Sequence, residues 1–331
     1  MRAAVISSVG KVSVETVDDP VPGPREVLVE VAACGICGTD LHILDGEFAP
    51  SLPIIPGHEF AGVVVATGAD VFELTAGQRV AVDPSLYCNE CHYCRLGHNN
   101  LCERWNAIGV SRPGGAAQFA KAPVGNCVPV PESIGLRDAA LIEPLSCAVR
   151  GYDVLRSQLG SHVLIYGSGT MGLMMLQLAK RTGAASVDVV DINPQRLATA
   201  VMLGCSATAT NADELDRPRG WELVIDATGA PAAIQDGLSR VAPAGTFLQF
   251  GVSSPDSKVT IDPYRIYNKE ITITGSMAVL HSFERSAELL ATGVLDPEIF
   301  ISDRLPLAEY PEALARFKRG EGRKIQVLPG G

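Results

Sequence analysis

Val163-Leu-Ile-Tyr166 runs into Gly167-Ser-Gly169-Thr170-Met171-Gly172, and then into Leu173-Met-Met-Leu-Gln-Leu-Ala-Lys-Arg181. A short apolar run, a glycine turn and a helical apolar period read as strand, turn and helix. In such a turn the first glycine permits the tight bend, and the second lets backbone approach a pyrophosphate. The third lets helix and strand pack closely, and the N–H groups of the first helical turn, around Thr170 and Met171, stay open to phosphate. A glycine triplet alone is a weak signal, because glycine turns are common. Here a second strand, Val187-Asp-Val-Val190, ends at Asp191, near the spacing at which a carboxylate meets the ribose hydroxyls of NAD. Asp191 disfavours the 2′-phosphate of NADP, whereas Arg196, a turn further on, offers a cation to it.

The same rhythm continues downstream. A helical stretch spans 193–203, and strands are expected at 223–225, 246–250 and 271–274, the first two separated by a helix-like segment. Alternating strand and helix implies a doubly wound parallel α/β sheet. Upstream, 27–31, 62–66 and 79–82 are β-branched runs bounded by Gly, Pro or Asp, which is strand chemistry in a β-rich region reaching to about residue 145. The tail offers a helix from Ser282 to about Gly293, another from Pro311 to Gly320, and a last strand at 324–328. No internal repeat is present.

The β-rich region holds two metal-ligand patterns. Cys88, Cys91, Cys94 and Cys102 have spacings that let four thiolates close a tetrahedron around Zn²⁺, which leaves no position for a substrate and marks a structural site. Earlier come Cys34-Gly-Ile-Cys37-Gly-Thr39-Asp40-Leu-His42 and Gly57-His58-Glu59. Cys37, His58 and Glu59 offer the mixed S, N and O donors of a catalytic zinc that keeps one position open. Cys34 and Cys37 also have a redox-like spacing, but a catalytic dithiol belongs near a βαβ unit, not after a β-rich segment.

The chain has 331 residues, 47% hydrophobic and 19% charged, with a net charge of −10. That balance is globular, and the negative charge disfavours nucleic acid or an anionic membrane as a partner. Met1-Arg-Ala-Ala-Val-Ile-Ser-Ser8 lacks the apolar run of a signal peptide, and the richest apolar stretch, 163–179, is broken by glycines and polar residues. Nine cysteines without an export signal argue for reduced thiols and a cytoplasmic location.

With Cys37-Gly-Thr-Asp-Leu-His42, Gly57-His-Glu59, the four-cysteine stretch, Glu143-Pro-Leu-Ser146 and the glycine turn in this order, the whole chain resembles the zinc-dependent medium-chain dehydrogenase/reductase family. The likeness is to its sorbitol (polyol) and threonine dehydrogenase branch. The resemblance implies a GroES-like β-rich catalytic domain at 1–146 with both zinc sites, a Rossmann domain at 147–279 and a C-terminal segment, 280–331, returning to the first. It implies Cys37, His58 and Glu59 around catalytic zinc, with Glu143 ligating directly or through water, and Asp40 orienting His58. Thr39 and His42 match proton-relay positions, against the plainer readings of a turn hydroxyl and a surface histidine. Cys34, Cys127, Cys147 and Cys205 match no ligand role and are expected to be small buried residues.

The activity so implied is oxidation of a polyol's secondary alcohol to the ketone with hydride transfer to NAD. Two zincs per chain and a homotetramer, with a dimer as the alternative, complete the expectation. The stretch 275–281 lacks the Arg-Tyr pair of sorbitol-type enzymes, which weighs against glucitol and leaves other polyols, cyclitols or a sugar phosphate. The rivals are an L-threonine 3-dehydrogenase and, from another class, a zinc-ribbon assembly or nucleic-acid-binding protein.

Overall fold

In a computed structural model that describes residues 1–47, 51–155 and 157–330, the chain divides into two units. One comprises Met1–Ser146 with Val279–Gly331, and the other Cys147–Ala278.

The unit Cys147–Ala278 is built on six parallel strands. Numbered in chain order, His162–Tyr166, Ser186–Val190, Ala207–Ala209, Trp221–Asp226, Val241–Gln249 and Thr272–Gly275 lie side by side as 3-2-1-4-5-6. That order reverses direction at the first strand, which is the switch point where doubly wound sheets bind dinucleotides. Leu164, Val224 and Leu248 are fully buried because helices cover both faces of a parallel sheet. Helices Thr170–Arg181, Pro194–Met202 and Pro231–Arg240 follow the first, second and fourth strands. Pro194 and Pro231 stand in the first turn of their helices, where a missing N–H costs nothing. Ala207–Ala209 and the helix Pro263–Lys269 escaped the sequence reading. The first is three residues long with two alanines, and the second starts at a proline amid polar residues.

The other unit is organised by Glu26–Gly35, which pairs antiparallel with Glu59–Thr67, Phe119–Pro123 and Lys324–Leu328. Arg79–Val82 and Cys127–Pro129 extend the sheet on one side and Ile301–Pro306 on the other, giving seven strands. Val27, Val29, Val31, Phe60, Val80, Ile325 and Tyr310 form its core. Full burial of each such aliphatic or aromatic side chain stabilises the fold by about 1.5–3 kcal/mol. The hairpin Arg2–Ser8 with Lys11–Thr16 and the strand Ile301-Ser-Asp-Arg-Leu-Pro306 were not read from sequence. The latter carries Asp, Arg and Pro, which strands disfavour, and its pairing with Lys324–Leu328 overrides that preference. Among the described residues no helix is long and apolar enough to cross a membrane.

Candidate functional site

Strand register assembles the first cluster. Gly35 lies opposite Glu59 across the antiparallel pair, so the chain leaving Gly35 places Cys37 beside His58 and Glu59. A Cβ on Gly35 would meet Glu59 Oε2 at 2.1 Å, so glycine there leaves room for the carboxylate. Gly57 has φ +89°, and a Cβ on it would meet Cys34 Sγ at 2.5 Å and the Ala116 N at 2.9 Å. Only glycine delivers His58 in this pose. Ligand atoms of Cys37, His58 and Glu59 all lie within 4.8 Å of one another.

Asp40, fully buried, ties the two ligand segments together. It accepts from the Cys37 N–H at 2.9 Å and from the Gly57 N–H at 3.2 Å. Its carboxylate also lies close enough to His58 to interact with it electrostatically. His58 Nδ1 is buried without a hydrogen-bond partner. Such an atom is costly to bury and fits a ligand or solvent contact beyond the protein's own groups.

Lys324, from the last strand, lies only 3% exposed against this cluster. Its Nζ donates to both oxygens of Glu59, at 2.7 and 2.6 Å, and to the Ile36 carbonyl at 3.1 Å. Burial works against the ammonium, but the charges of Glu59 and Cys37 outweigh it and its pKa is raised. Burial pushes the Cys37 thiol up to about 12, with Glu59 adding to it. It pushes the Glu143 carboxyl up to about 8, where His58 opposes it and Glu59 and Cys37 add. These groups resist ionising without more positive charge nearby. A divalent cation supplies that charge and releases their protons, so the donor set fits zinc. Lys324 was missed in the sequence because nothing local distinguishes it from a lysine at a strand end.

Glu143 opens the helix Ile142–Val154 and is 6% exposed. It falls outside the 4.8 Å group but close enough to interact electrostatically with His58, Glu59 and Cys37. Thr39 and His42 sit on the short helix Gly38–Leu44, three residues apart and therefore on one face. Thr39 Oγ1 is 3.8 Å from Cys37 Sγ. His42 Nδ1 is 2.5 Å from Glu47 Oε2, and its side chain is 28% exposed.

The second cluster is local in sequence. Sγ atoms of Cys88, Cys91, Cys94 and Cys102 all lie within 4.8 Å of one another, with Cys88–Cys94 and Cys91–Cys102 at 3.9 Å. A tetrahedron with Zn–S bonds of about 2.3 Å has edges of about 3.8 Å, so the cage matches zinc in size. The Cys91 N–H donates to Cys88 Sγ at 3.3 Å, and the Cys88 and Arg104 N–H groups donate to Cys102 Sγ at 3.4 and 3.3 Å. Such bonds favour thiolate. Backbone donors from Glu90 and Cys91 draw the Cys88 thiol down to about 6. Of the four cysteines expected to be small and buried, Cys34 and Cys127 are; Cys147 and Cys205 are only half-buried.

In the parallel sheet, Gly167 has φ +98°, and a Cβ on Gly172 would meet the Gly167 carbonyl at 1.8 Å. A Cβ on Gly169 would meet nothing within 4 Å, so the backbone at the start of helix Thr170–Arg181 faces open space. Thr170 and Met171 are half-buried in that first turn. Asp191 follows the second strand and is 7% exposed. Its Oδ2 accepts from Ser168 N–H at 2.8 Å and Ser168 Oγ at 3.0 Å, and its Oδ1 from Asn193 N–H at 2.8 Å. The carboxylate is thus clamped to the glycine turn with lone pairs to spare. Arg196 is half-buried on the following helix.

A mixed-donor metal cluster, a closed thiolate cage and a dinucleotide turn define a zinc-dependent, nicotinamide-linked oxidoreductase. Comparison with known proteins agrees. Residues 23–132 match the alcohol dehydrogenase GroES-like domain, and residues 170–292 the zinc-binding dehydrogenase family. D-arabinitol dehydrogenase 1 of Uromyces fabae is 34% identical over 96% of this chain and 94% of its own. D-altritol 5-dehydrogenase of Agrobacterium fabrum (strain C58) is 36% identical over 86% of this chain and 87% of its own. Among solved structures, a protein assigned as a zinc-binding dehydrogenase from Sinorhizobium meliloti 1021, bound to NADP, is 34% identical. It superposes with a TM-score of 0.95 over 99% of each chain. The chain belongs to the zinc-dependent medium-chain dehydrogenase/reductase family, in its polyol dehydrogenase branch.

Proposed function

We propose that this enzyme oxidises a secondary alcohol of a polyol to the ketone, with NAD as hydride acceptor. The convergence of Cys37, His58 and Glu59, backed by buried Glu143, carries this reading. A shell in which carboxylates stand where another thiolate would serve favours a hydroxyl-rich substrate, and the arabinitol and altritol dehydrogenases among its relatives support that choice.

Cys37, His58 and Glu59 would hold the catalytic zinc, with Glu143 as a direct or water-linked partner, and the four-cysteine cage would hold a second, structural zinc. Zinc at the first cluster supplies Lewis-acid polarisation of a substrate hydroxyl. Bound NAD would supply the acceptor for a hydride from the carbinol carbon, the hydroxyl proton being lost separately. Thr39 accepts that proton path at the ligand end, and His42, partly exposed and joined to Glu47, passes it outward. Asp40 holds the Cys37 and Gly57 backbones so that the two ligand segments keep their spacing.

Gly167, Gly169, Thr170, Met171 and Gly172 would cradle the pyrophosphate, and Asp191 the adenosine ribose. Preference for NAD over NADP rests on the charge of Asp191, which repels a 2′-phosphate, against Arg196 close by. A homotetramer in the cytoplasm is part of the same reading. The strand Thr272–Gly275 offers an edge that is unpaired among the described residues and partly apolar to a second copy, and the nine cysteines are free thiols.

Purified protein assayed for zinc content and for NADH formation against a panel of pentitols, hexitols, cyclitols and L-threonine tests all of this. Two zincs per chain and a kcat/KM highest for a polyol with NAD⁺ are expected. Highest activity with L-threonine, or with NADP⁺, would overturn the corresponding assignment.

A further inference from the structure

We propose that the unit Cys147–Ala278 carries a second anion site, unrelated to the dinucleotide turn, that takes a phosphomonoester. A cavity of about 430 Å³ opens between the segment Leu215–Trp221, the start of the strand at Val241 and the helix bearing Arg265 and Lys269. Five of its twelve lining residues are Arg or Lys and none is acidic, in a chain whose net charge is −10. Such a concentration of one sign is costly unless an anion completes it.

The charges are only partly cancelled in place. Arg265 is held rigidly by neutral acceptors, the Leu238 carbonyl at 3.0 Å and the Val241 carbonyl at 2.6 Å. Arg217 forms a loose ion pair with Asp188 at 3.9 Å and donates through Nη2 to Ser186 Oγ at 3.2 Å, while its buried Nε has no hydrogen-bond partner among the described residues. That Asp188 oxygen is taken by Trp221 Nε1 at 2.8 Å. Arg219 and Lys269 are exposed and make no hydrogen bond or ion pair among the described residues. Arg240 is neutralised by Asp213 and Asp236, and Arg217 in part by Asp188. The chain is shaped to bring these groups together, since Gly220 has φ +80° and a Cβ on it would meet the Arg240 carbonyl at 2.4 Å.

The place excludes the cofactor. Trp221 and Val241 begin their strands, whereas Gly167 follows the end of a parallel neighbour, so the cavity and the glycine turn lie at opposite ends of the sheet. Guanidinium groups match a phosphate's oxygens, and a volume in the usual range of roughly 300–1,000 Å³ for small-molecule pockets leaves room for an organic group beyond the phosphate.

The test is calorimetric titration of the zinc-loaded enzyme, saturated with NADH so that the dinucleotide site is occupied, at ionic strength fixed with chloride. Phenyl phosphate and inorganic phosphate are the probes. One saturable site per chain is expected, at least fivefold tighter for phenyl phosphate. Affinity is expected to fall at least tenfold in R219Q/K269Q, with Tm and the KM for dinucleotide unchanged. Should the double variant lose Tm, Arg219→Gln alone, at an exposed position, serves the same comparison with a fall of at least threefold. No saturation, or undiminished affinity in the variants, would overturn the site. Equal affinity for both probes would overturn its assignment to an organic ester.

Discussion

The two candidate metal-ligand clusters of this chain are made in opposite ways. The thiolate cage draws all its ligands from fifteen consecutive residues, Cys88 to Cys102, and backbone N–H groups of the same segment bond its sulfurs. The other cluster draws Cys37 from a helix start, His58 and Glu59 from a strand start, Glu143 from a second helix and Lys324 from the last strand. A local cage of one donor type satisfies an ion completely and suits a stabilising role. An assembled cluster of mixed donors and competing charges leaves the ion's coordination adjustable, which a reaction requires.

The largest expected effect breaks the assembled cluster. Cys37→Ser should lower kcat by about 10³-fold or more, as loss of a metal's transition-state stabilisation does. It should remove one zinc per chain and leave Tm and dinucleotide affinity near wild type, measured by turnover, metal analysis and titration. Cys94→Ser should do the reverse, removing the other zinc and lowering Tm while kcat per folded chain holds. A folded Cys94→Ser protein that loses only kcat would erase the distinction between the clusters.

Lys324→Met leaves Glu59 buried without its counter-charge. In metal-free protein this should cost about 3–5 kcal/mol in urea unfolding, the usual penalty for breaking a buried pair. With zinc bound the cost should shrink, because the metal then balances Glu59; an equal cost in both states would remove Glu59 from the ligand set. Asp40→Asn keeps the shape but removes the charge facing His58, and should weaken zinc at the assembled cluster about 10- to 100-fold by competition with a chelator, the range for residues supporting metal ligands.

The smallest effect lies at the root of the cysteine cage. Asp83 accepts from the Ser85 N–H at 2.9 Å, and burial lifts its carboxyl from 3.8 to about 6. The fold therefore prefers the protonated acid. The stability this contributes is fully present below about pH 4 and is lost as pH rises through 6. Asp83→Asn should be more stable than wild type by up to about 2 kcal/mol above pH 6, the difference vanishing near pH 4, in unfolding curves across that range.

The strand–helix alternation, the glycine turn and the four-cysteine pattern were legible because each rests on short-range regularities. A β-branched run bounded by Gly167, two-residue gaps between cysteines and a carboxylate at the end of a strand are patterns in neighbouring residues. Ile301–Pro306 was not legible, since Asp303, Arg304 and Pro306 argue against a strand until Lys324–Leu328 provides a partner. The hairpin Arg2–Thr16 likewise depends on pairing more than on propensity. Asp40 was legible as a residue beside the ligands, but its bond to the Gly57 N–H was not, because it depends on how two separate segments meet.

By itself, then, the sequence determined the ligand types, the nucleotide turn and the alternation that makes a parallel sheet, because these follow from residue chemistry over short spans. Only the tertiary structure decided that Lys324 would share Glu59 with the metal cluster, and that Arg217, Arg219, Arg265 and Lys269 would face one cavity. Glu59 and Lys324, and likewise the Arg217–Arg219 and Arg265–Lys269 pairs, are separated by long stretches of chain, and their interaction energies depend on distance and burial, which no local pattern encodes.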